Sequence, residues 1–423
     1  MVIGLKTLKD ISLKNKHVLF RTAYDVPVEK KGGRWIVSDD TRIAASIPSL
    51  KYLLKNNCKI VILTWLGRPA GKPEEKLKLD PVAKRLSELI HRKVKKLNDC
   101  IGPDVDRALA AMKPKDIILL ENVRFHLEEE ACDEKFSQKL STLGECVVFD
   151  AFAQSHRDYP STTGILKALP SVAGFHMEKE LSTLQSLMKK PKVPFIVILG
   201  GAKISDKIET LRSFLSLADV ILIGGAMAHN FLKVQGIKIG ASYIEKDVSL
   251  TPKKETQSIL QTAEELLKKT KDTFVNLGPG LNVPKLVLPL DFVAASRKDG
   301  PSIEIKNISI EHNSTLPRDW MYLDIGPKTV AYYASIIKKA KTVFWNGPVG
   351  YFETDQFCAG SKGIAQAIIH SKATSILGGG DTQSFTKKYH LTKKFTFVST
   401  GGGASLELLS GKEFPVLTYL MKS

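Results

Sequence analysis

Three glycine clusters each stand beside a group that can handle phosphate or magnesium. Gly200-Gly201-Ala202-Lys203 leads into Ser205-Asp206-Lys207, Gly378-Gly379-Gly380 into Asp381-Thr382, and Ser399-Thr400 into Gly401-Gly402-Gly403. All lie in the second half of the chain. Glycine at a strand-to-helix turn lets the backbone approach an oligophosphate, and the helix N-terminus adds free N–H donors and a favourable dipole. The first half instead carries arginines in short polar contexts: Arg21, Arg42, Arg68, Arg124 and Arg157. The guanidinium binds oxyanions through a fixed fork of donors. The pattern points to a nucleotide half and an anion half.

Individual residues suggest finer roles. Lys203 and Lys207 stand four apart, a spacing that puts both on one face if the segment is helical. Asp381, behind three glycines, suits Mg²⁺ shared between a carboxylate and phosphate oxygens. Glu353 can accept from ribose hydroxyls. Taken singly, each is as well explained by a surface ion pair or a helix cap. Neither Gly378 to Gln383 nor Gly401 to Leu406 completes a GxGxxG fingerprint, and Gly411-Lys412 lacks the glycine offset and hydroxyl residue of a P-loop.

These residues need elements to hold them. Short apolar runs alternate with helical patterns: Val18-Leu19-Phe20, the helical stretch Thr41 to Asn56, then Ile60 to Leu63, Ile117 to Leu120 and Cys146 to Phe149. Continuous apolar runs fit strands buried on both faces, and their alternation with helices predicts parallel, doubly wound sheets. Met177 to Met188 reads as a connecting helix. The alternation restarts at Phe195 to Leu199 and continues through Val220 to Ile223, Lys285 to Leu288, Val343 to Trp345, Ser375 to Leu377 and Phe395 to Val398. The predicted fold is α/β, with two Rossmann-like lobes. One is 1–175 plus 405–423, the other 195–404, with 176–194 as connecting helix and linker. The polar motifs fall at the carboxyl ends of the strands, where ligands bind in such folds.

The chain has 423 residues, of which 43% are hydrophobic, enough for two cores. No apolar run approaches a membrane span, and Met1 to Asp10 lacks the features of a signal peptide. Five scattered cysteines without a CxxC pair argue against a disulfide framework or structural zinc and for a reducing cytoplasm. The net charge of +18 raises nucleic-acid binding as a reading. The lysine runs sit on helical faces, however, without zinc-finger or RNA-recognition motifs, so a solvated lysine-rich surface explains them better.

Across nearly its full length the chain resembles phosphoglycerate kinase. The resemblance is carried by Asp40-Thr41-Arg42-Ile43, Leu66-Gly67-Arg68-Pro69, Glu121-Asn122-Val123-Arg124-Phe125, Asp150-Ala151-Phe152 with His156-Arg157, and Gly200 to Ile208. It continues through Asp324 to Thr329, Trp345-Asn346-Gly347-Pro348, Gly378 to Thr382 and Ser399 to Leu409. It implies a two-lobed, hinge-bending, monomeric kinase that moves a phosphoryl group between 1,3-bisphosphoglycerate and ADP, with Mg²⁺. Its final segment would pack on the amino lobe. By the same resemblance, Arg21, Asp25, Arg42, Trp65, Arg68, Arg124, His156 and Arg157 face the phosphoglycerate. Gly201, Lys203, Lys207, Gly225, Asn346, Glu353, Gly378, Gly379, Gly380, Asp381 and Thr382 face the ATP or ADP. Arg42, Lys203, Gly380 and Gly403 are the catalytic positions, and Asp381 the metal ligand. The acceptor is a carboxylate already ionised at neutral pH, so no general base is required.

The anion half departs from the family pattern. Where that family reads Arg-x-Asp-Phe-Asn-x-Pro, this chain has Arg21-Thr22-Ala23-Tyr24-Asp25-Val26-Pro27, and Trp65 and Tyr159 replace two usual histidines. Asp25 is expected to take over part of the bond to the substrate hydroxyl that the usual aspartate would make from the position of Ala23. Three alternatives stand beside a compensated enzyme: a related carboxylate kinase, a nucleotide-binding homologue without turnover, and a nucleic-acid binder.

Overall fold

The computed structural model describes residues 4–245, 259–299, 304–310 and 316–422. They fall into two compact units, Met1–Gln185 with Lys412–Ser423, and Ser186–Gly411. The division runs through the helix Phe175–Lys189.

The first unit is built on a six-stranded parallel sheet. Its order is Lys95–Lys96, Ile117–Leu119, Lys59–Leu63, His17–Thr22, Cys146–Asp150, Ser171–Ala173. His17 to Arg21 pair with Lys59 to Leu63 on one side, and Val18 to Thr22 with Cys146 to Asp150 on the other. Every residue of Cys146–Asp150 is buried. Val18, Phe20, Ile60, Ile62 and Val148 join Ile43, Leu50 and Leu53 of the helix Thr41–Lys55 in one core. Each such side chain contributes about 1.5–3 kcal/mol on burial. The chain's last segment returns here: Lys6 N–H donates to Leu420 O at 2.7 Å, and Phe414 lies 5.9 Å from Phe152.

The second unit repeats the plan with Leu286–Val287, Val220–Ile223, Phe195–Leu199, Thr342–Asn346, Thr374–Gly378 and Phe397–Val398. It departs from the expected pattern in its antiparallel pairing, which includes the pair Phe274–Asn276 and Asn282–Pro284, and at Lys203. A further antiparallel sheet joins Ile305–Ser309, Asp291–Ala295 and Met321–Ile325. Lys203 and Lys207 do not share a helix face. Ser205–Lys207 forms a single 3₁₀ turn and the α-helix begins only at Ile208, leaving Lys203 in the preceding loop. Glu245 explains this start: its carboxylate accepts from the N–H groups of Ile204 at 2.7 Å and Ser205 at 3.0 Å and from the Ser205 hydroxyl.

Asp150 joins sheet to helix in the first unit. Its Oδ1 accepts the Met177 N–H at 2.9 Å, and the group is fully buried. Burial pushes its pKa up to about 6, against the hydrogen bonds that pull it down. A raised carboxyl pKa means that the native state holds the proton more tightly than the unfolded one. Its contribution is therefore full below about pH 4 and lost as pH rises to about 6. Asp150→Asn keeps the acceptor and removes the titration. Its stability relative to the parent should improve by roughly 2–3 kcal/mol between pH 4 and pH 7, read from urea unfolding at both pH values. A constant difference would mean that Asp150 titrates like an exposed carboxylate.

Candidate functional site

In the first unit, one side-chain amide fixes the loops that bear the arginines. Asn122, fully buried, accepts through Oδ1 from the N–H groups of Leu66 and Arg124, both at 3.2 Å. Its Nδ2 donates to Leu66 O at 2.7 Å and Leu77 O at 3.0 Å. All four hydrogen-bonding positions of the amide are filled. Glu121 beside it accepts from Leu79 N at 3.0 Å and pairs with Lys96.

Three expected site residues meet directly. The Trp65 indole, 3% exposed, lies between two guanidiniums, with Arg21 4.5 Å and Arg124 4.2 Å from its ring centroid. Tyr159 meets it edge-on at 5.8 Å. A π face is one of the few neighbours that lets two cations sit close without a carboxylate between them. Arg124 donates to Gly67 O at 2.7 Å and lies 3.4 Å from Glu130. Arg21 is wholly buried and donates to Ser161 O at 2.7 Å and to Thr22 O. Desolvation lowers its pKa to about 9, the buried Glu129 opposing this and Arg124 adding to it; it stays charged at neutral pH. Arg21 therefore belongs to the interior beneath the other arginines.

Asp25 is a tie between loops. Its Oδ1 accepts the Gly67 N–H at 2.9 Å, and its backbone O accepts from Arg42 Nη1 at 2.5 Å. Ala23 is buried. Arg68 follows Gly67 on the exposed side of the same loop, and His156 and Arg157 are half-buried before the Pro160–Gly164 turn.

In the second unit, the glycine loops pack on each other at the carboxyl ends of the strands. Gly201 N–H donates to Pro348 O at 2.7 Å and Gly225 N–H to Val349 O at 2.9 Å. A Cβ at Gly225, whose φ is +62°, would lie 2.6 Å from Gly201 N, and one at Gly347 would lie 2.4 Å from Gly200 O. No other residue fits either place. Lys207 Nζ reaches over this turn, 3.2 Å from where a Gly201 Cβ would stand. Thr382 Oγ1 accepts the Gly347 N–H at 2.7 Å, linking the Gly378-Gly379 turn to the same cluster.

A cavity of about 310 Å³ opens beside these loops, with Gly201, Gly225, Glu353 and Asp381 in its wall. Asn346 is 2% exposed, and its Nδ2 has no hydrogen-bond partner. It lies 2.9 Å from the Cβ position of Gly379, so a buried donor faces the turn that opens the helix Gly380–Lys388. Asp381 is exposed in the first turn of that helix. An orphaned donor, a helix N-terminus and one carboxylate fit a magnesium–phosphate group, because Mg²⁺ is commonly held by one or two carboxylates plus substrate phosphates. Lys203 is exposed, and Gly403 opens the short helix Gly403–Leu409; neither lines the cavity.

Sequence reasoning missed Asn122 as the clamp. It also missed the cavity's His229, Phe292, Tyr322 and Asp324. Burial pushes Asp324 up to about 7, while the N–H groups of Gly360 and Ile325 pull it down. The expectation of no structural zinc meets one grouping among the described residues, Asp99, Cys100 and His126. Asp99 Oδ1 there is already bonded to His126 at 2.7 Å and to Cys100 N–H at 2.6 Å.

A family model described as phosphoglycerate kinase matches residues 8–412. Phosphoglycerate kinase from Moorella thermoacetica is 42% identical over 416 residues, covering 98% of both chains. The enzyme of the same name from Aquifex aeolicus is also 42% identical, again over 98% of both. The solved phosphoglycerate kinase of Coxiella burnetii superposes with a TM-score of 0.81 at 33% identity over 98% of both chains. That of Pyrococcus horikoshii gives 0.82 at 32%.

Asn122→Ala should lower stability by about 3 kcal/mol, because it strands buried backbone groups of Leu66 and Arg124 and a partly buried one of Leu77. Urea unfolding measures this. A loss below about 1 kcal/mol would show that the loops are held by other means.

Proposed function

The chain belongs to the phosphoglycerate kinase family, and on that premise we propose how its residues divide the work. The reaction is reversible phosphoryl transfer between 1,3-bisphosphoglycerate and ADP, giving 3-phosphoglycerate and ATP in glycolysis. Neither another acceptor nor a homologue without turnover is favoured by the matching family or by the relatives. The observation that carries the division is the cavity wall that joins Gly201, Gly225, Glu353 and Asp381 beside the unpaired Asn346 amide.

The unit with the glycine loops holds the adenine nucleotide. Gly201, Gly225, Gly378, Gly379, Gly380 and Thr382 bring backbone close to the phosphates. Asn346 Nδ2 donates to a phosphate oxygen, Lys207 neutralises charge over the Gly201 turn, and Glu353 accepts from the ribose. Asp381 would hold Mg²⁺, which when bound shields phosphate charge. The arginine unit holds the phosphoglycerate on Arg42, Arg68, Arg124, His156 and Arg157. Arg21 acts from beneath through Trp65, and Asp25 positions the Gly67 turn.

In the direction of ATP consumption, a carboxylate oxygen of 3-phosphoglycerate attacks the γ-phosphorus. The bond from that phosphorus to the β,γ-bridging oxygen breaks, and ADP leaves with the electron pair. No proton moves, so the protein's task is positioning and charge neutralisation. Lys203 follows the moving phosphoryl group. Its place in a loop, not on a helix face, leaves its long side chain free to do so. Arg42 and the N-termini at Gly380 and Gly403 meet charge as it develops. We place the protein in the cytoplasm as a monomer, from its glycolytic family and its five free cysteines.

A coupled assay with 3-phosphoglycerate and MgATP tests the whole reading; absent turnover would overturn it. Lys203→Ala should cut kcat by at least about 100-fold while the protein still folds and binds ADP in calorimetry. Activity within a few-fold of the parent would remove Lys203 from the transferring group. Asp381→Asn should raise the Mg²⁺ concentration needed for half-maximal rate by about tenfold or more, since a hard anionic ligand is lost. An unchanged magnesium titration would take Asp381 out of the metal site.

A further inference from the structure

Taking the Ser186–Gly411 cavity as the nucleotide site, we propose that His229 and Tyr322 read the edge of the base and restrict this chain to 6-aminopurines. The phosphate and ribose residues leave part of the cavity wall unexplained, and that part includes a group of packed aromatic rings. His229, Phe292 and Tyr322 all line it. Tyr322 stacks on Phe292 at 4.6 Å, with interplanar angle 27°, and His229 lies 5.9 Å from Tyr322 and 5.7 Å from Phe292. Flat rings suit a base, but two of these also carry polar atoms with nothing to bind. The Tyr322 hydroxyl is buried and has no hydrogen-bond partner. A buried, unmade hydroxyl is costly and calls for a partner.

His229 supplies the complementary atom. It is 3% exposed, and its Nδ1 lies 2.8 Å from Tyr243 O. A carbonyl only accepts, so Nδ1 carries the hydrogen and Nε2 of the neutral ring presents a lone pair. Burial pushes the ring's pKa down to about 4, the Tyr243 contact opposing it, so the ring is neutral under physiological conditions. Nε2 bonds to no described residue. The wall thus combines an imidazole acceptor with an unpartnered tyrosine hydroxyl, on rings 5.9 Å apart. Adenine presents the complement, a 6-amino donor beside the N1 acceptor. A 6-oxo base presents a carbonyl beside N1–H, the reverse order. A site built to bond a substrate group discriminates strongly against an analogue lacking it, because its own buried groups are then left unpaired.

The test measures kcat/KM for ATP, ITP and purine riboside triphosphate, which has no 6-substituent, with 3-phosphoglycerate saturating. It uses the full chain as parent, Tyr322→Phe and His229→Phe, each with its melting temperature. The parent should prefer ATP to ITP by about 30-fold or more and to the purine riboside by about 10-fold. Each folded variant should cut the ATP preference at least about fivefold, through KM for ATP more than through kcat. If His229→Phe does not fold, the three-nucleotide comparison on the parent and Tyr322→Phe, which differ by one oxygen, still decides. A parent that uses ITP as well as ATP, or a preference untouched in the folded variants, overturns the proposal. A parent that binds no nucleotide at all in calorimetry instead overturns the assignment of the cavity, and the base-reading role falls with it.

Discussion

A strand buried on both faces has few side chains to spare for chemistry. Cys146–Asp150, Phe195–Leu199 and Thr342–Asn346 are buried at every position, so the work falls to a terminal residue such as Asn346 and to the turns at the strands' carboxyl ends. The two units solve the resulting problem of holding loops still in different ways. The first uses one saturated amide, Asn122, and the Asp25 carboxylate on Gly67. The second removes side chains altogether, so that Gly200, Gly225 and Gly347 touch backbone to backbone. Rigid turns on a rigid sheet are what phosphoryl transfer without a general base demands, since positioning is most of the catalysis.

Concentrating cations at such turns carries its own difficulty. Arg21 and Arg124 approach the same ring from positions 103 residues apart in the sequence. Burial and the neighbouring Arg124 both act against the charge of Arg21, and Glu129 offsets part of this. Glu129 is itself buried, its carboxyl pushed up by desolvation and restrained by the hydroxyl and N–H of Ser161. Trp65, where the family has histidine, adds no titrating group to this pocket. The substitution therefore trades a proton-dependent neighbour for a polarisable one whose attraction is indifferent to pH.

Much of this was legible in order along the chain. Continuous runs such as Phe195–Leu199 are nearly unambiguous, and the spacing of Leu181, Leu184 and Leu187 marked a helix whose apolar face is fully buried. What escaped depends on distant partners. Glu245, 40 residues beyond Ser205, delays the helix and leaves Lys203 in a loop. The strands Asp291–Ala295 and Met321–Ile325 are short, partly exposed and paired across long connections. No local period announced that they would bring Phe292 and Tyr322 to one cavity. Asn122 stood within a recognised motif, but nothing in the motif tells an amide that clamps from one that binds.

The returning C-terminal segment has a consequence for how the molecule comes into being. Leu5 forms a bridge with Met421, and Lys6 bonds to Leu420, so the first unit is closed by a segment that follows the whole of the second unit in the sequence. During synthesis the Ser186–Gly411 unit has its whole sequence available while the unit begun first still lacks its closing piece. A chain cut after Gly411 would hold every residue of one unit and leave the other with an open seam at Phe152, against which Phe414 packs. Because Leu5 and Met421 are neighbours, joining the chain there and opening it elsewhere would let that unit close early, reversing the order in which the two are completed.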